Sequence, residues 1–221
     1  LGESYGNYKV GSDAEIIPLI SSANVACGFH ASDPVVMIET VKRIKESGST
    51  GLGAHPVFPD LMGFGRRYME LSDDEVHAIM LYQLSALDGI AKTYGLQLNH
   101  VKPHGALSNA TFKDENLAGV IAQAVKDFNP KLKLMGLANN NLVKAGKALG
   151  LDVINEVFAD RAYEDDGTLV SRSKDGAMIT DSGLATERVV RMITEGKVES
   201  INGKDVDIQA DSICVHGDGE K

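Results

Sequence analysis

The sequence has no tryptophan, only two cysteines among its 221 residues, and no apolar run close to the roughly 20 residues that a membrane-spanning helix needs. The longest apolar candidate, residues 35–44, is interrupted by three charged residues. Cys27 and Cys214 cannot build a disulfide framework or a zinc cluster, so we expect buried free thiols in a reducing cytoplasm. These absences argue against a disulfide-stapled secreted domain and against a membrane protein.

Positive charge is also scarce, because 22 Lys and Arg residues stand against 31 Asp and Glu residues and give a net charge of −9. A dispersed acidic surface argues against a nucleic-acid backbone as a partner. The hydrophobic share of 43% and the charged share of 24% are ordinary for globular proteins. The length suits one large domain rather than two, so we expect a single domain over residues 1–221.

Short apolar runs alternate with amphipathic helices along the chain. The predicted strands lie at residues 23–27, 50–54, 98–101, 132–137, 153–158 and 212–215. Helix signals separate them: Asp33-Pro34 opens one helix that Gly48 closes, and Ser72 with Glu75 forms a capping box that opens another. This alternation predicts an α/β fold with a parallel sheet, and a (β/α) barrel would gather the loops after the strands on one face.

Ionisable residues cluster just past the predicted strand ends. In chain order they are His30, His55, Lys102, His104, Glu156, Asp160, Arg161, His216 and Asp218. Loops at the C-terminal ends of barrel strands open onto one face, where active sites lie, so these residues are expected to converge. A lone histidine after a strand is more often structural, but four at successive strand ends favour a shared site. We expect His77, on a helix, to face solvent and His100, within a strand, to be a satisfied core residue.

Several chemistries can be weighed against this set. No Gly-x-Gly-x-x-Gly or Walker A motif follows a strand, and no activated-thiol motif surrounds Cys27. The Gly-x-Ser-x-Gly match at residues 2–6 opens no predicted helix, so it is not a nucleophile elbow. A metal site from His30, His55 and a carboxylate is compatible with zinc or manganese, although the spacing matches no recognised metal signature. General acid–base chemistry by histidine and carboxylate fits best, with Lys102 and arginines holding an anion.

Structural roles compete for some of these residues. Arg66 lies on a loop long enough to cover a site, yet surface charge explains it equally well. Asp160 and Arg161 can form a merely local ion pair. Lys102 can likewise be the mate of Glu156 or Asp160 in a buried structural ion pair rather than a ligand of substrate.

Seven ordered blocks make the chain resemble the LamB/YcsF family from Leu1 to Asp218. They are LGES at 1–4, NVACGFH at 24–30, GAHP at 53–56, GFGRR at 63–67, VKPHGAL at 101–107, EVFADR at 156–161 and CVHGD at 214–218. Ser108 stands where the family pattern has an aromatic residue. The resemblance implies a distorted TIM-like (β/α) barrel of the glycoside hydrolase/deacetylase type. It also implies a first strand before Leu1 and a last helix after Lys221.

The same resemblance implies the ATP-dependent opening of the lactam 5-oxoproline (pyroglutamate) to L-glutamate in the cytoplasm. ATP would be a co-substrate used by two partner subunits, B and C, which phosphorylate the lactam, and this chain would complete the ring opening. The expected catalytic residues are His30, His55, Lys102, His104, Glu156, Asp160 and His216. The expected substrate-binding residues are Glu3, Asn24, Arg66, Arg161 and Asp218. Neither nucleic acid nor membrane is an expected partner.

Two other functions stay open at this stage. The first is a metal-dependent deacetylase or amidohydrolase that acts on a sugar or a small amide, motivated by the implied fold and by His30 with His55. Stoichiometric metal and loss of activity to a chelator would favour it. The second is a binding protein that only positions substrate for its partners, against which the density of ionisable residues at strand ends argues. The sequence leaves open whether a metal is bound.

Overall fold

The chain folds around a parallel sheet that curls into a half-barrel, in a computed structural model that describes residues 1–215. The strands are β1 (Ser22–Ala26), β2 (Gly51–His55), β3 (His100–Val101), β4 (Lys133–Leu137), β5 (Val153–Phe158), β6 (Lys197–Glu199), β7 (Asp205–Asp207) and β8 (Ser212–Cys214). The six-stranded sheet has the order β1-β2-β3-β4-β5-β8, with every neighbouring pair parallel. The predicted α/β class is confirmed, whereas the antiparallel β6–β7 hairpin is absent from the sequence-based prediction.

Helices connect most of the sheet strands, and five of the seven α-helices in residues 1–215 begin at a side chain that caps them. They are α1 (Asp13–Ile16), α2 (Pro34–Ser47), α3 (Asp73–Thr93), α4 (Gly105–Ala110), α5 (Glu115–Phe128), α6 (Asn141–Ala148) and α7 (Ser182–Thr194), with a 3-10 turn at Ile17–Leu19. Asp33 caps α2 by accepting from the next amides, and Ser72 forms the predicted capping box with Glu75. Within residues 1–215, every helix is too short or too polar to cross a lipid bilayer.

The main hydrophobic core lies between the sheet and helices α2, α3, α5 and α6. Val25 and Val101 contribute from the strands, and Val41, Leu84 and Ile121 contribute from the helices; all five are fully buried. Burying a side chain of this kind stabilises the fold by about 1.5–3 kcal/mol. Because this packing fixes the helices against the strands, the loops at the strand ends are held on a rigid base.

The register of the sheet brings several strand ends together. Ala26 at the end of β1 pairs with His55 at the end of β2, and Glu156 in β5 pairs with Ser212 in β8. The loops that follow these parallel strands therefore leave the sheet at the same end. The N-terminal segment joins them, because the amino group of Leu1 donates to the Asn24 carbonyl at 2.8 Å, and Glu3 lies two residues further on.

Candidate active site

Three histidines from successive strand ends form a cluster. His30 follows β1, His55 ends β2 and His104 follows β3. The rings of His30 and His104 stack with centroids 4.0 Å apart and planes 8° apart. His55 meets His104 edge-on at 4.8 Å and His30 at 5.8 Å. The parallel register thus brings together imidazoles that are far apart in sequence.

The hydrogen bonds of His55 and His104 fix where their protons can be. His55 Nδ1 donates to the Lys102 carbonyl at 2.6 Å, and His104 Nε2 donates to the Phe64 carbonyl at 2.9 Å. The two remaining ring nitrogens lie 3.0 Å apart. Two neutral imidazoles have only two N–H groups, and the carbonyls use both. The lone pair of His55 Nε2 therefore faces the lone pair of His104 Nδ1, unless the two rings together accept one more proton.

Burial lowers the pKa of all three histidines, because a buried imidazolium loses its hydration. The pKa of His104 falls to about 3, through burial and then the nearby His30. The pKa of His55 falls well below its usual value through burial, with His104 and Lys102 adding to the effect. For His30, burial lowers the pKa against the opposing effect of Glu3. The rings of the resting site are therefore neutral.

Glu3 completes a set of donors that suits a metal ion. Its Oε1 lies 3.6 Å from His30 Nε2. Burial raises the pKa of Glu3, but the contact with His30 and other nearby positive charge outweigh it, and the pKa falls to about 2. One donor atom each of Glu3, His30 and His104 lies within 4.8 Å of the others, and neither His30 nitrogen has a hydrogen-bond partner among residues 1–215. This carboxylate–imidazole set could hold zinc or manganese, with His104 rather than His55 as the second histidine.

A buried ion pair forms the second half of the site. Lys102 Nζ donates to Glu156 Oε1 at 2.6 Å, and the two side chains are 11% and 2% exposed. Nζ also lies 3.5 Å from Cys214 Sγ and 5.3 Å from the centre of the Phe158 ring. Burial acts to lower the pKa of Lys102, but Cys214 and Glu156 outweigh it and raise that pKa, so the lysine stays charged. Glu156 Oε2 is buried and has no hydrogen-bond partner within the described part of the chain.

Cys214 is only half-buried by surface area, whereas Cys27 is fully buried as expected. Burial raises the pKa of each thiol to about 12. Both cysteines are therefore protonated thiols at neutral pH, which agrees with the absence of an activated-thiol motif.

Arginines add positive charge beside this pair. Arg161 is buried, and its Nη2 donates to the Val170 carbonyl at 2.5 Å. Burial, followed by the neighbouring Arg172 and more weakly Arg66, lowers the pKa of Arg161, while Asp160 opposes that shift. The exposed Arg66 guanidinium lies 5.3 Å from the centre of the Phe64 ring. Arg172 and Arg66 are therefore close enough to act electrostatically on Arg161.

One open cavity of about 1590 Å³ joins the histidine cluster to the ion pair. The predicted site residues on its wall are Glu3, Asn24, His55, Arg66, Lys102, His104, Glu156 and Arg161. His30 stacks on His104 and Asp160 neighbours Arg161, but neither of them lines the cavity itself. His216 and Asp218, which the sequence also suggests, lie outside the described residues.

Close backbone contact between a loop and α4 holds His104 in place, a feature that sequence reasoning missed. The Gly65 carbonyl accepts a hydrogen bond from the Ala106 amide at 2.8 Å. A Cβ atom at Gly105 would lie 2.5 Å from that carbonyl oxygen, and the φ of Gly105 is +51°. Only glycine allows this approach without strain, and the approach brings the Phe64 carbonyl to His104. The available signal was the pair of glycine-containing blocks at 63–67 and 101–107.

Comparison with known proteins yields matches along the whole chain. Residues 1–221 match the model of the LamB/YcsF family. The A subunit of 5-oxoprolinase from Staphylococcus aureus (strain JH9) is 57% identical over 220 residues, which cover 100% of this chain and 88% of that protein. The A subunit of 5-oxoprolinase from Clostridium beijerinckii is 55% identical over 221 residues, 100% of this chain and 86% of that protein. The crystal structure of the lactam utilization protein from Thermus thermophilus superposes with a TM-score of 0.93 and 48% identity, over 98% of this chain and 87% of that one.

Proposed function

Because this chain belongs to the LamB/YcsF family, we propose that it is the ring-opening component of an ATP-dependent 5-oxoprolinase, a hydrolase of a cyclic amide C–N bond. One observation carries the proposal: a single cavity connects a proton-accepting histidine pair to a buried, charged lysine. Its substrate is 5-oxoproline and its product is L-glutamate. Its relatives are named as 5-oxoprolinase and as a lactam utilization protein, and both names support this choice of substrate.

Hydrolysis of a lactam needs a proton acceptor for water and a positive group near the oxygen on which negative charge develops. In our proposal, the pair of His55 and the half-exposed His104 takes one proton from the attacking water. The hydroxyl adds to the carbonyl carbon, and the ammonium of Lys102 stabilises the charge on the oxygen. The C–N bond then breaks and the stored proton passes to the ring nitrogen, which leaves an amine and a carboxylic acid that ionise to the ammonium and the carboxylate of glutamate.

ATP enters this scheme through partner proteins. Partner subunits B and C use ATP to phosphorylate the lactam oxygen, which makes the carbonyl carbon a better target for water. Cleavage of the C–N bond then gives an acyl phosphate in place of the free acid, and a second water hydrolyses it to glutamate and inorganic phosphate. The relatives are named as one lettered subunit of 5-oxoprolinase, which implies that the enzyme has further subunits. The sequence of this chain has neither a Gly-x-Gly-x-x-Gly nor a Walker A motif. We assign the complex to the cytoplasm, where the free thiols of Cys27 and Cys214 are stable.

The test is reconstitution with partner subunits B and C of a relative, with 5-oxoproline loss, glutamate and phosphate as readouts. We expect turnover only when all subunits and ATP are present. His104→Asn should lower kcat of the complex by about a hundredfold or more, since it removes a proton-transfer group. His77→Gln is the matched control, because His77 lies on α3 and pairs with Asp127 away from the cavity. A fully assembled complex that leaves 5-oxoproline untouched contradicts the proposal.

A metal-dependent amidohydrolase is the second candidate function. The donor set of Glu3, His30 and His104 favours it, because the ring nitrogens of His30 have no partner among the described residues. The stacking of His30 on His104 works against it, since imidazole lone pairs lie in the ring planes and two parallel planes do not converge on one ion. Stoichiometric zinc or manganese in the purified protein, with activity lost to chelator and restored by metal, would favour this candidate.

A further inference from the structure

The buried ion pair presents a donor and an unfilled acceptor side by side. The ammonium of Lys102 has three N–H groups, of which one binds Glu156 Oε1 and another faces Cys214 Sγ. The second carboxylate oxygen of the same glutamate, Oε2, is buried without a hydrogen-bond partner in the described part of the chain. Both residues line the cavity. The pair can therefore still give one N–H and still accept one.

A lactam has the complementary edge. In a five-membered ring the amide bond is forced to be cis, so the C=O and the N–H point to the same side and lie next to each other. An open-chain secondary amide is almost always trans, and its C=O and N–H then point in opposite directions. A donor and an acceptor that sit side by side can thus satisfy both groups of a lactam, but only one group of an open-chain amide.

We propose that Lys102 and Glu156 recognise the cis-amide edge of a lactam, with the ammonium bound to its carbonyl oxygen and Oε2 of the glutamate accepting from its ring N–H. This inference rests on the proposed function in taking 5-oxoproline as the ligand of the cavity. It assigns to the ion pair the selection of cyclic over open-chain amides and of lactams with a free N–H. It concerns the lactam before any phosphoryl group is attached.

The surroundings of the pair hold Lys102 in place, whereas the buried Oε2 of Glu156 meets a ligand only after the carboxylate turns toward the cavity. The Lys102 backbone is fixed by its hydrogen bond with His55, and its side chain lies between Glu156, Cys214 and Phe158. A group held in place before binding loses little conformational freedom when the ligand arrives. A buried carboxylate oxygen without a partner is costly, and a ligand that lacks the N–H leaves it unfilled, so such a ligand is rejected.

Calorimetric titrations of the full chain with three ligands of nearly equal size test the ring N–H and the cis amide separately. The ligands are 5-oxoproline, its N-methyl derivative, and N-acetylalanine, an open-chain amide with the same carbon, nitrogen and oxygen atoms and the same carboxylate. We expect 5-oxoproline to bind about tenfold to a hundredfold more tightly than either analogue, the range expected for one hydrogen bond to a charged group.

Variants connect this preference to the pair. Glu156→Gln keeps the side-chain shape but sets an N–H₂ group in place of Oε2, so the advantage of 5-oxoproline over both analogues should vanish. The double variant Lys102→Met/Glu156→Met removes both charges together and leaves neither stranded, so it tests the same loss if the single variant folds poorly. Glu164→Gln is the matched control, because Glu164 pairs with Lys174 at 2.7 Å on the wall of the same cavity and should keep the preference.

The outcomes separate this inference from the proposed function. Wild-type affinities that do not differ among the three ligands overturn the inference, as does a preference that survives in both the single and the double variant. Absence of 5-oxoproline binding to a chain that supports turnover in the complex overturns it as well. A preference that is lost in Glu156→Gln and kept in Glu164→Gln supports it. Failure of the reconstituted complex to consume 5-oxoproline counts against the proposed function instead.

Discussion

At the scale of single residues, His100 shows the effect of burial on a titrating group. It lies in β3 with no exposed surface, and its Nε2 donates to Asn24 Oδ1 at 2.8 Å. Burial lowers its pKa from 6.5 to about 4, with smaller contributions from Lys102 and Lys133. As expected from the sequence, His100 is a satisfied core residue. Because unfolding removes this burial, His100 is protonated more readily in the unfolded chain than in the folded one.

The first prediction concerns acid stability. Between pH 6.5 and pH 4 the unfolded chain binds a proton at His100 that the folded chain does not, so the free energy of unfolding should fall as the pH falls through this window. His100 alone should account for about 3 kcal/mol of that loss. In His100→Gln, whose amide can still donate to Asn24, urea unfolding at several pH values should show a smaller decrease. An equal decrease of the free energy of unfolding in the wild type and in His100→Gln would contradict the prediction.

The second prediction concerns the ion pair. Lys102→Met removes the ammonium and leaves the Glu156 carboxylate buried without its counter-charge, so the free energy of unfolding should fall by about 3–5 kcal/mol. The double variant Lys102→Met/Glu156→Met should recover most of that stability, because no charge is left stranded. Chemical denaturation of the three proteins measures both effects. A single variant as stable as the wild type would show that the pair does not contribute to the fold.

At the scale of elements, the shortest strand of the main sheet lies at its centre. β3 has only two residues, and it joins β2 on one side to β4 on the other. Gly53 in β2 is the partner of His100, and a Cβ atom there would lie 2.1 Å from His100 Nε2. The ring of His100 therefore occupies the space that any side chain at position 53 would need. The pairing of β2 and β3 depends on this glycine.

The third prediction follows from that contact. Gly53→Ala forces the His100 ring away from Asn24, so we expect the free energy of unfolding to fall by about 1–3 kcal/mol, as for other overpacked cores. Gly89→Ala is the control, because Gly89 lies in α3 with no atom within 4 Å of an added Cβ, and alanine favours helix. Thermal denaturation of both variants and of the wild type measures the difference in stability. Equal melting temperatures for Gly53→Ala and the wild type would refute the crowding argument.

The sequence was sufficient to predict the repeating elements, because capping residues and apolar periodicity act locally. Residues 153–158 form β5 as predicted, and Asp33 and Ser72 begin the helices predicted from them. The sequence did not predict α4 or the β6–β7 hairpin, both of which are short and carry weak periodicity. The prediction placed the histidines at strand ends but not the stacking of His30 on His104, since ring geometry depends on tertiary packing.

At the scale of the whole molecule, the net charge of the chain differs from the charge that lines its cavity. The chain carries a net charge of −9, yet 5-oxoproline is an anion at neutral pH. The cavity wall carries six basic side chains, Lys102, Arg66 and Arg161 among them, against six acidic ones, so its charges balance within an acidic chain. An anionic substrate therefore meets less repulsion in the cavity than the net charge of the chain would give.

The fourth prediction concerns ATP. The isolated chain should hydrolyse ATP no faster than buffer, because its sequence has neither of the two standard phosphate-binding motifs. Phosphate release from the purified chain, compared with that from the reconstituted complex of the chain and its proposed partner subunits, measures this directly. ATP hydrolysis by the isolated chain at the rate of the complex would overturn the division of labour between the subunits.

The backbone of Lys102 contacts one site residue and its side chain contacts another, so substitutions at those two residues should influence each other. Its carbonyl oxygen accepts from His55 Nδ1, and its ammonium donates to Glu156 Oε1. A change that moves Lys102 from one side therefore displaces a group on the other side. In a double-mutant cycle, the effects of substitutions at His55 and Glu156 on the free energy of unfolding should therefore not be additive. The difference between the effect of the double variant and the sum of the two single effects measures the coupling of the two residues through Lys102.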